Sequence, residues 1–203
     1  MTGSPSPSPA SSATVAASPS PRDRLLAAAA PLFYREGVHV GVEALCRAAG
    51  VSKRSMYQLF SSKEEVLAAS LERAAQTYWG ALVPGPDDRP ARARILHVFE
   101  GLESLSRSPD YRGCPLVATA LELKDPRHPA SVVARRFKDR LTDHFREEAG
   151  RADAPDPEQL ARQLTVAFDG SSVQAVVQGH PLDGLALATA TALLDTAGMS
   201  EIR

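Results

Sequence analysis

Lys53, Arg54, Ser55, Tyr57 and Gln58 crowd into one short stretch; each carries a hydrogen-bond donor, and two of them are cationic. From Ala44 to Lys63 there is no acidic residue, while Arg47 and Lys63 add further positive charge. Donors and cations gathered without acids suit the phosphates and base edges of a nucleic acid rather than bond-making chemistry. The residue types that make bonds are not patterned for it. His39, His97, His128, His144 and His180 are scattered, with no His-Glu-x-x-His, Cys-x-x-Cys, Gly-x-Ser-x-Gly or Gly-rich phosphate loop. The expectation is therefore no catalytic residues, no metal site and no cofactor.

The elements that must position these donors are two short helices and a tight turn. Val42, Leu45, Cys46 and Ala49 fall on one helical face, and Gly50 supplies a left-handed stop. Ser52 is placed to cap a second helix, where its oxygen can accept from free backbone N–H groups. Met56, Leu59 and Phe60 would form that helix's buried side, turning Lys53, Arg54, Ser55, Tyr57 and Gln58 outward. An ordinary corner between two helices is the bland alternative, and the basic outward face argues against it.

With the helix before it, the segment resembles the N-terminal DNA-binding domain of the TetR family of transcriptional regulators. The matching words are Ala29-Pro-Leu-Phe33, Glu36-Gly37, Ala48-Ala-Gly-Val-Ser52, Met56-Tyr57, Phe60 and Ser62-Lys63-Glu64. They cover about a quarter of the chain, from Arg22 to Leu71. The resemblance implies that Lys53, Arg54, Ser55 and Gln58 reach bases or groove and that Tyr57 and Lys63 grip phosphates of a double-stranded operator. Three positions depart from the family pattern. Gly41 stands where a Ser or Thr cap is usual, Cys46 replaces an Ala, and Leu59 replaces a His whose contact is not carried over.

The chain has 203 residues, 43% hydrophobic and 23% charged, enough for a core in one or two domains. Its formal charge of -1 means that affinity for DNA must come from local charge. Two cysteines are too few for a disulfide framework, and a reducing cytoplasm is the simplest compartment. No apolar run approaches membrane-spanning length, and no secretory signal pattern is present, so no membrane partner is expected. Residues 1–19 are rich in Ser, Pro and Ala and are read as a disordered arm without cations.

Helical periodicity continues to the end of the chain with no strand alternation, giving an all-α fold of about nine helices. Ser20-Pro21-Arg22-Asp23 opens the first helix, and Ser62-Lys63-Glu64-Glu65 opens a long one to about Leu82. Prolines from Pro84 to Pro90 then break the chain, past that connecting helix. The expected organisation is a helix-turn-helix domain over 20–66, followed by a helical effector-binding and dimerisation domain over 67–203. Arg135, Arg136, Lys138 and Arg140 are interrupted by Phe137 and Leu141 and countered by Asp139 and Asp143, so they read as a solvated helix face.

In that second domain Trp79, Phe99, Cys114, Phe137, His144 and Phe168 are the candidate lining for an effector, an unknown and largely apolar small molecule. Cys114, before Pro115, could be a thiol at a helix cap, or simply a small residue filling a turn. The segment from Pro157 to Gln178 is apolar around most of its circumference, and the last helix, roughly Leu182 to Ala197, is poor in charge. They are expected to form a homodimer through Leu164, Phe168, Ser171, Val173, Ala175 and Leu193. The chain thus reads as a ligand-responsive repressor released from its operator by a small molecule. Two rivals are a ligand-binding bundle without DNA binding, which leaves the Lys53–Lys63 surface unexplained, and an enzyme whose active site only the fold assembles.

Overall fold

The computed structural model describes residues 19–199, and the expected disordered arm lies outside them but for Pro19. The described residues form nine helices and no strand: α1 (Pro21–Glu36), α2 (Val42–Ala49), α3 (Lys53–Leu59), α4 (Lys63–Leu82), α5 (Ala91–Ser106), α6 (Pro115–Leu123), α7 (Pro129–Arg151), α8 (Pro157–Gln178) and α9 (Leu185–Thr196). Helix α1 packs on α2, α3 and α4, α2 meets α3, and the rest form a bundle centred on α7, which meets α4, α5, α6 and α8.

The helix ends follow from local chemistry. Ser20, Ser52, Ser62 and Asp156 each accept a bond from the backbone N–H three residues on, satisfying a donor the helix leaves free. Gly41 makes no side-chain cap. The box at the start of α4 is shifted: Ser62 accepts from the Glu65 N–H, but the Glu65 carboxylate reaches back to the N–H and hydroxyl of Ser61, at 2.7 and 2.8 Å. Helix α4 runs unbroken across the expected boundary at residue 66, because Val66, Leu67 and Leu71 are buried beside α1 and Tyr78 and Leu82 in the bundle.

Two aromatic groups fill the bundle core. Phe99 stacks on Phe145 with centroids 5.8 Å apart and meets Phe168 edge-on at 6.2 Å, joining α5, α7 and α8. Phe137 lies 5.8 Å from Tyr78 and 6.0 Å from Trp79, with His144 on the other side of Trp79 at 6.1 Å. The Arg140 guanidinium lies 3.8 Å over the Trp79 ring. Arg94 and Glu148 are a buried pair at 2.9 Å, and Arg94 also bonds Asp87 at 2.8 Å. Bonds from Arg89 and Arg94 hold the Asp87 carboxyl down at about 2.

Helix α9 begins three residues later than its apolar pattern suggests. Gly184, at φ 91°, turns the chain and offers no side chain as a cap. The cap comes from α5: the buried Glu103 carboxylate accepts from the N–H groups of Gly184 at 3.0 Å and Ala186 at 2.8 Å. The positive end of the α9 dipole thus faces a buried negative charge. Glu103→Ala should cost about 3 kcal/mol, because it strands buried donors, and Glu103→Gln about half of that. Urea unfolding at constant m-value would measure both. Gly41→Ser, at φ -76° with open space around a new Cβ, should gain a few tenths of a kcal/mol as a new cap.

Candidate nucleic-acid interface

The reading surface is built on α3, a helix of seven residues that could not stand alone. Met56, fully buried, and Phe60, at its extended C-terminus, anchor it, and the Arg22 guanidinium lies 5.2 Å over the Phe60 ring. The Gly50 turn, in the left-handed region at φ 63°, sets the corner with α2, while Cys46 on α2 packs its sulfur 3.9 Å from that of Met56. With Met56 and Phe60 inward, Arg54, Tyr57 and Gln58 face solvent, as expected of groups that meet a groove.

Leu59 does not take the buried place expected of it. Phe60 fills the space behind Met56 and turns Leu59 to the rim, where it is 37% exposed. Ser55 is half-buried, its hydroxyl 2.9 Å from that of the cap residue Ser52, so it is tied to the start of the helix.

Two of the cations are engaged within the chain itself. Lys53 donates to Glu43 of α2 at 2.8 Å, and this bond moves the Glu43 carboxyl below and the Lys53 ammonium above their usual ranges. Lys63 donates to the Val38 carbonyl at 3.0 Å, tying the first turn of α4 to the loop between α1 and α2. Glu43 was legible as the acid just outside the acid-free stretch, but its partner, ten residues on, was not. The Val38 carbonyl leaves no mark in a side-chain pattern.

The remaining candidates fall into two places. Phe99, Phe137, Phe168, Cys114 and His144 are buried in packed core and Trp79 partly so; none of the six lines the cavity of about 500 Å³ that opens between α1, α4 and α6. The reason is that the aromatic residues and His144 pack on one another where α4, α5, α7 and α8 meet. Burial pushes the Cys114 thiol up and the His144 imidazole down, which favours their neutral forms. Leu164, Phe168, Ser171 and Ala175, expected at a dimer interface, are likewise buried within this one chain, leaving Val173 exposed and Leu193 half-exposed on the outside. The outer face of α8 instead carries Val166, 72% exposed, and Val177, 71% exposed, with Val176 beside them. Among the described residues no group of three or more His, Cys, Asp or Glu is placed to hold a metal, and no helix is long and apolar enough to cross a membrane.

Comparison with known proteins gives one consistent answer. Residues 25–70 match the model for bacterial regulatory proteins of the tetR family. The chain is 21% identical over 165 residues to the HTH-type transcriptional regulator YjdC of Escherichia coli, covering 80% of this chain and 86% of the relative. A solved structure of CifR, a TetR family transcriptional regulator carrying cysteine mutations and complexed with a 26 bp operator DNA, is 25% identical, with a TM-score of 0.67 over 85% of this chain and 95% of that one. A tetR-type transcriptional regulator from Streptomyces avermitilis is 55% identical, with a TM-score of 0.85 over 90% of this chain and all of the other. On that identity across nearly the whole length, with the exposed α3 surface and its matching motif, the chain belongs to the TetR family of transcriptional regulators.

Proposed function

We propose that this chain acts as a homodimeric repressor that binds an operator through α3 in each of two successive major grooves and is released by a small, largely apolar molecule. The observation that carries the reading is the α3 face, where Arg54, Tyr57 and Gln58 stand exposed beside Lys53 with no acid on the helix. That CifR is complexed with operator DNA supports the same use of this face here. A regulator of this kind works on the chromosome, hence in the cytoplasm, and makes no bonds. Sequencing the genomic fragments that the purified chain retains would identify the operator, and retention no better than that of a protein without α3 charges would end the proposal.

The surface divides its labour by position. Arg54, early in α3, can bond O6 and N7 of a guanine with one planar guanidinium, and Gln58, one turn on, can reach the next base. Ser55, bound to Ser52, steadies the helix start while remaining close to the groove. Tyr57, Lys53 and Lys63 serve phosphates, the two lysines by exchanging Glu43 and the Val38 carbonyl for phosphate oxygens. Arg54→Ala should cost roughly 1 to 3 kcal/mol on the operator and relax preference at one base pair per half-site. Lys63→Ala should weaken operator and random DNA alike and flatten the slope of log K against log salt by about one unit per subunit. Competition titrations at several salt concentrations separate the two, and equal losses on both DNAs for Arg54→Ala would move Arg54 to the phosphate class.

The dimer follows from the valines that α8 leaves uncovered. Val166, Val173 and Val177 share one flank of α8, and beside Val166 a groove is lined by Gln159, Arg162 and Gln163 of α8 with Thr189 and Leu193 of α9. An apolar flank of this kind on a helix needs a second surface, and a copy of itself yields a closed four-helix arrangement. To read successive grooves, two copies so joined must set their α3 helices about 34 to 36 Å apart. Val173→Arg and Val177→Arg should each yield a folded monomer by light scattering, because a charge would be buried between the copies. An unchanged mass in both would displace the interface from α8.

A further inference from the structure

Two ties from the end of α4 and the loop after it run to α7, through side chains one turn apart. His144 meets the Trp79 ring of α4 edge-on at 6.1 Å. Glu148, 2% exposed, accepts from Arg94 of α5 at 2.9 Å. Arg94 carries that tie to the loop, donating to the Gly85 carbonyl at 3.0 Å and to Asp87 at 2.8 Å.

His144 sits among these groups without joining them. Its side chain is 8% exposed and packs against Trp79 and, at 6.0 Å, Phe145. Its Nε2 is buried without a partner, and its Nδ1 lies 4.0 Å from one Glu148 oxygen, beyond hydrogen-bond reach. That same oxygen already accepts from Arg94 and from Arg151, at 2.9 and 3.0 Å. The charged groups around the ring are thus Glu147, Glu148 and Arg151 of α7 and Arg94 of α5, with Asp87 behind Arg94. Helix α4 presents the uncharged Trp79 ring, over which Arg140 of α7 lies at 3.8 Å.

A neutral imidazole suits this place and an imidazolium does not. A proton would set a third cation around one buried oxygen, with no hydrogen bond of its own. Burial, opposed by Glu148 and reinforced by Arg94, pushes the His144 imidazole below the ordinary histidine range. The ring rather than Arg94 must yield, because the guanidinium keeps its charge and is held by both Glu148 and Asp87.

We propose that His144 is an acid-operated switch at the end of α4: on gaining a proton its ring turns out to water, leaves Trp79, and so frees α4 from one of its ties to α7. Because α4 also carries the reading head, acid then weakens the hold on DNA, and this outcome rests on the DNA-binding reading above. The unfolded chain takes up the proton before the folded one. Stability is therefore full above pH 6.5, the ordinary histidine value, and falls as the pH drops from there through the lowered value of the folded chain. His39 is the rival titrating group, 3.4 Å from Glu122 of α6, which accepts from the Val38 N–H of the head at 2.9 Å, but that pair stands exposed at the surface.

Trp79 is the chain's one tryptophan, and indole emission moves to the red when water reaches the ring. In the full chain it should move reversibly to the red between about pH 7.5 and about pH 5, with a midpoint below 6.5. His144→Phe, which keeps an aromatic ring and removes the proton site, should show no such shift, and His39→Gln should shift as the wild type does. Thermal unfolding at the higher pH verifies folding, and His144→Gln, equally unable to titrate, stands in where His144→Phe does not fold. Retained genomic fragments should be held at least about fivefold more weakly by the wild type at the lower pH, a loss the His144 variant lacks. A wild-type emission that does not move, a shift that survives in the His144 variant, or DNA retention that acid changes equally in both or not at all would overturn the proposal. A shift that depends on His144 with no DNA retained at any pH would instead sink the repressor reading and leave the switch within the fold.

Discussion

Helix α4 must satisfy two cores at once. Its first turns bury Val66, Leu67 and Leu71 beside α1, and its last bury Tyr78 and Leu82 in the bundle, over twenty residues and about 30 Å of helix. No break separates the two sets, so the head cannot rotate against the bundle without exposing apolar surface on one side or the other. The C-terminal end of α4 is also fixed closely. A Cβ on Gly101 of α5 would lie 2.9 Å from the Ala81 carbonyl and 3.2 Å from Leu82 Cα, so the two backbones meet at a distance only glycine allows. Orientation of α3 therefore depends on how α4 leaves the bundle, with α6 as a second tether.

The electrostatics of the head are less simple than its residue list. A chain with formal charge -1 must concentrate its positive potential, and α3 does so by excluding acids. Yet Lys53 is held by Glu43 and Lys63 by the Val38 carbonyl. These contacts keep flexible ammonium groups ordered near the surface. The Lys53 pair is exposed and worth little in water, and hence is readily traded for a phosphate. The Lys63 bond is partly buried and shapes the α1–α2 loop, so this lysine serves the fold itself.

Inside the bundle, polar groups appear where they close an element rather than where they could catalyse. Glu103 caps α9 from another helix, Ser172 joins the Tyr111 hydroxyl to the Cys114 N–H, and Arg94 joins Glu148 to the loop after α4. Each is buried and bonded, as a low-dielectric interior requires. The exceptions among the described residues are Tyr78 Oη, Arg92 Nε, Ser131 Oγ and His144 Nε2, which are buried without a hydrogen bond.

The sequence by itself determined the helices, the turn at Gly50 and the outward face of α3, because periodicity, caps and left-handed glycines act over a few residues. It could not tell a core from a cavity, since both are written in the same apolar letters. Trp79, Phe99, Phe137 and Phe168 were candidates for a lining on composition alone, and only the meeting of α4, α5, α7 and α8 made them part of the core. The same limit applies to α8, whose valines and leucines look alike in the chain. Packing against α7 and α9 took Leu164, Phe168 and Ala175 inward and left Val166, Val173 and Val177 outside. Which side of a helix is covered depends on partners brought together from distant parts of the chain, and so do the cap of α9 by Glu103 and the place of Tyr78 against Phe137. Those contacts come from tertiary structure, where burial and hydrogen-bond satisfaction are settled among groups that no local spacing relates.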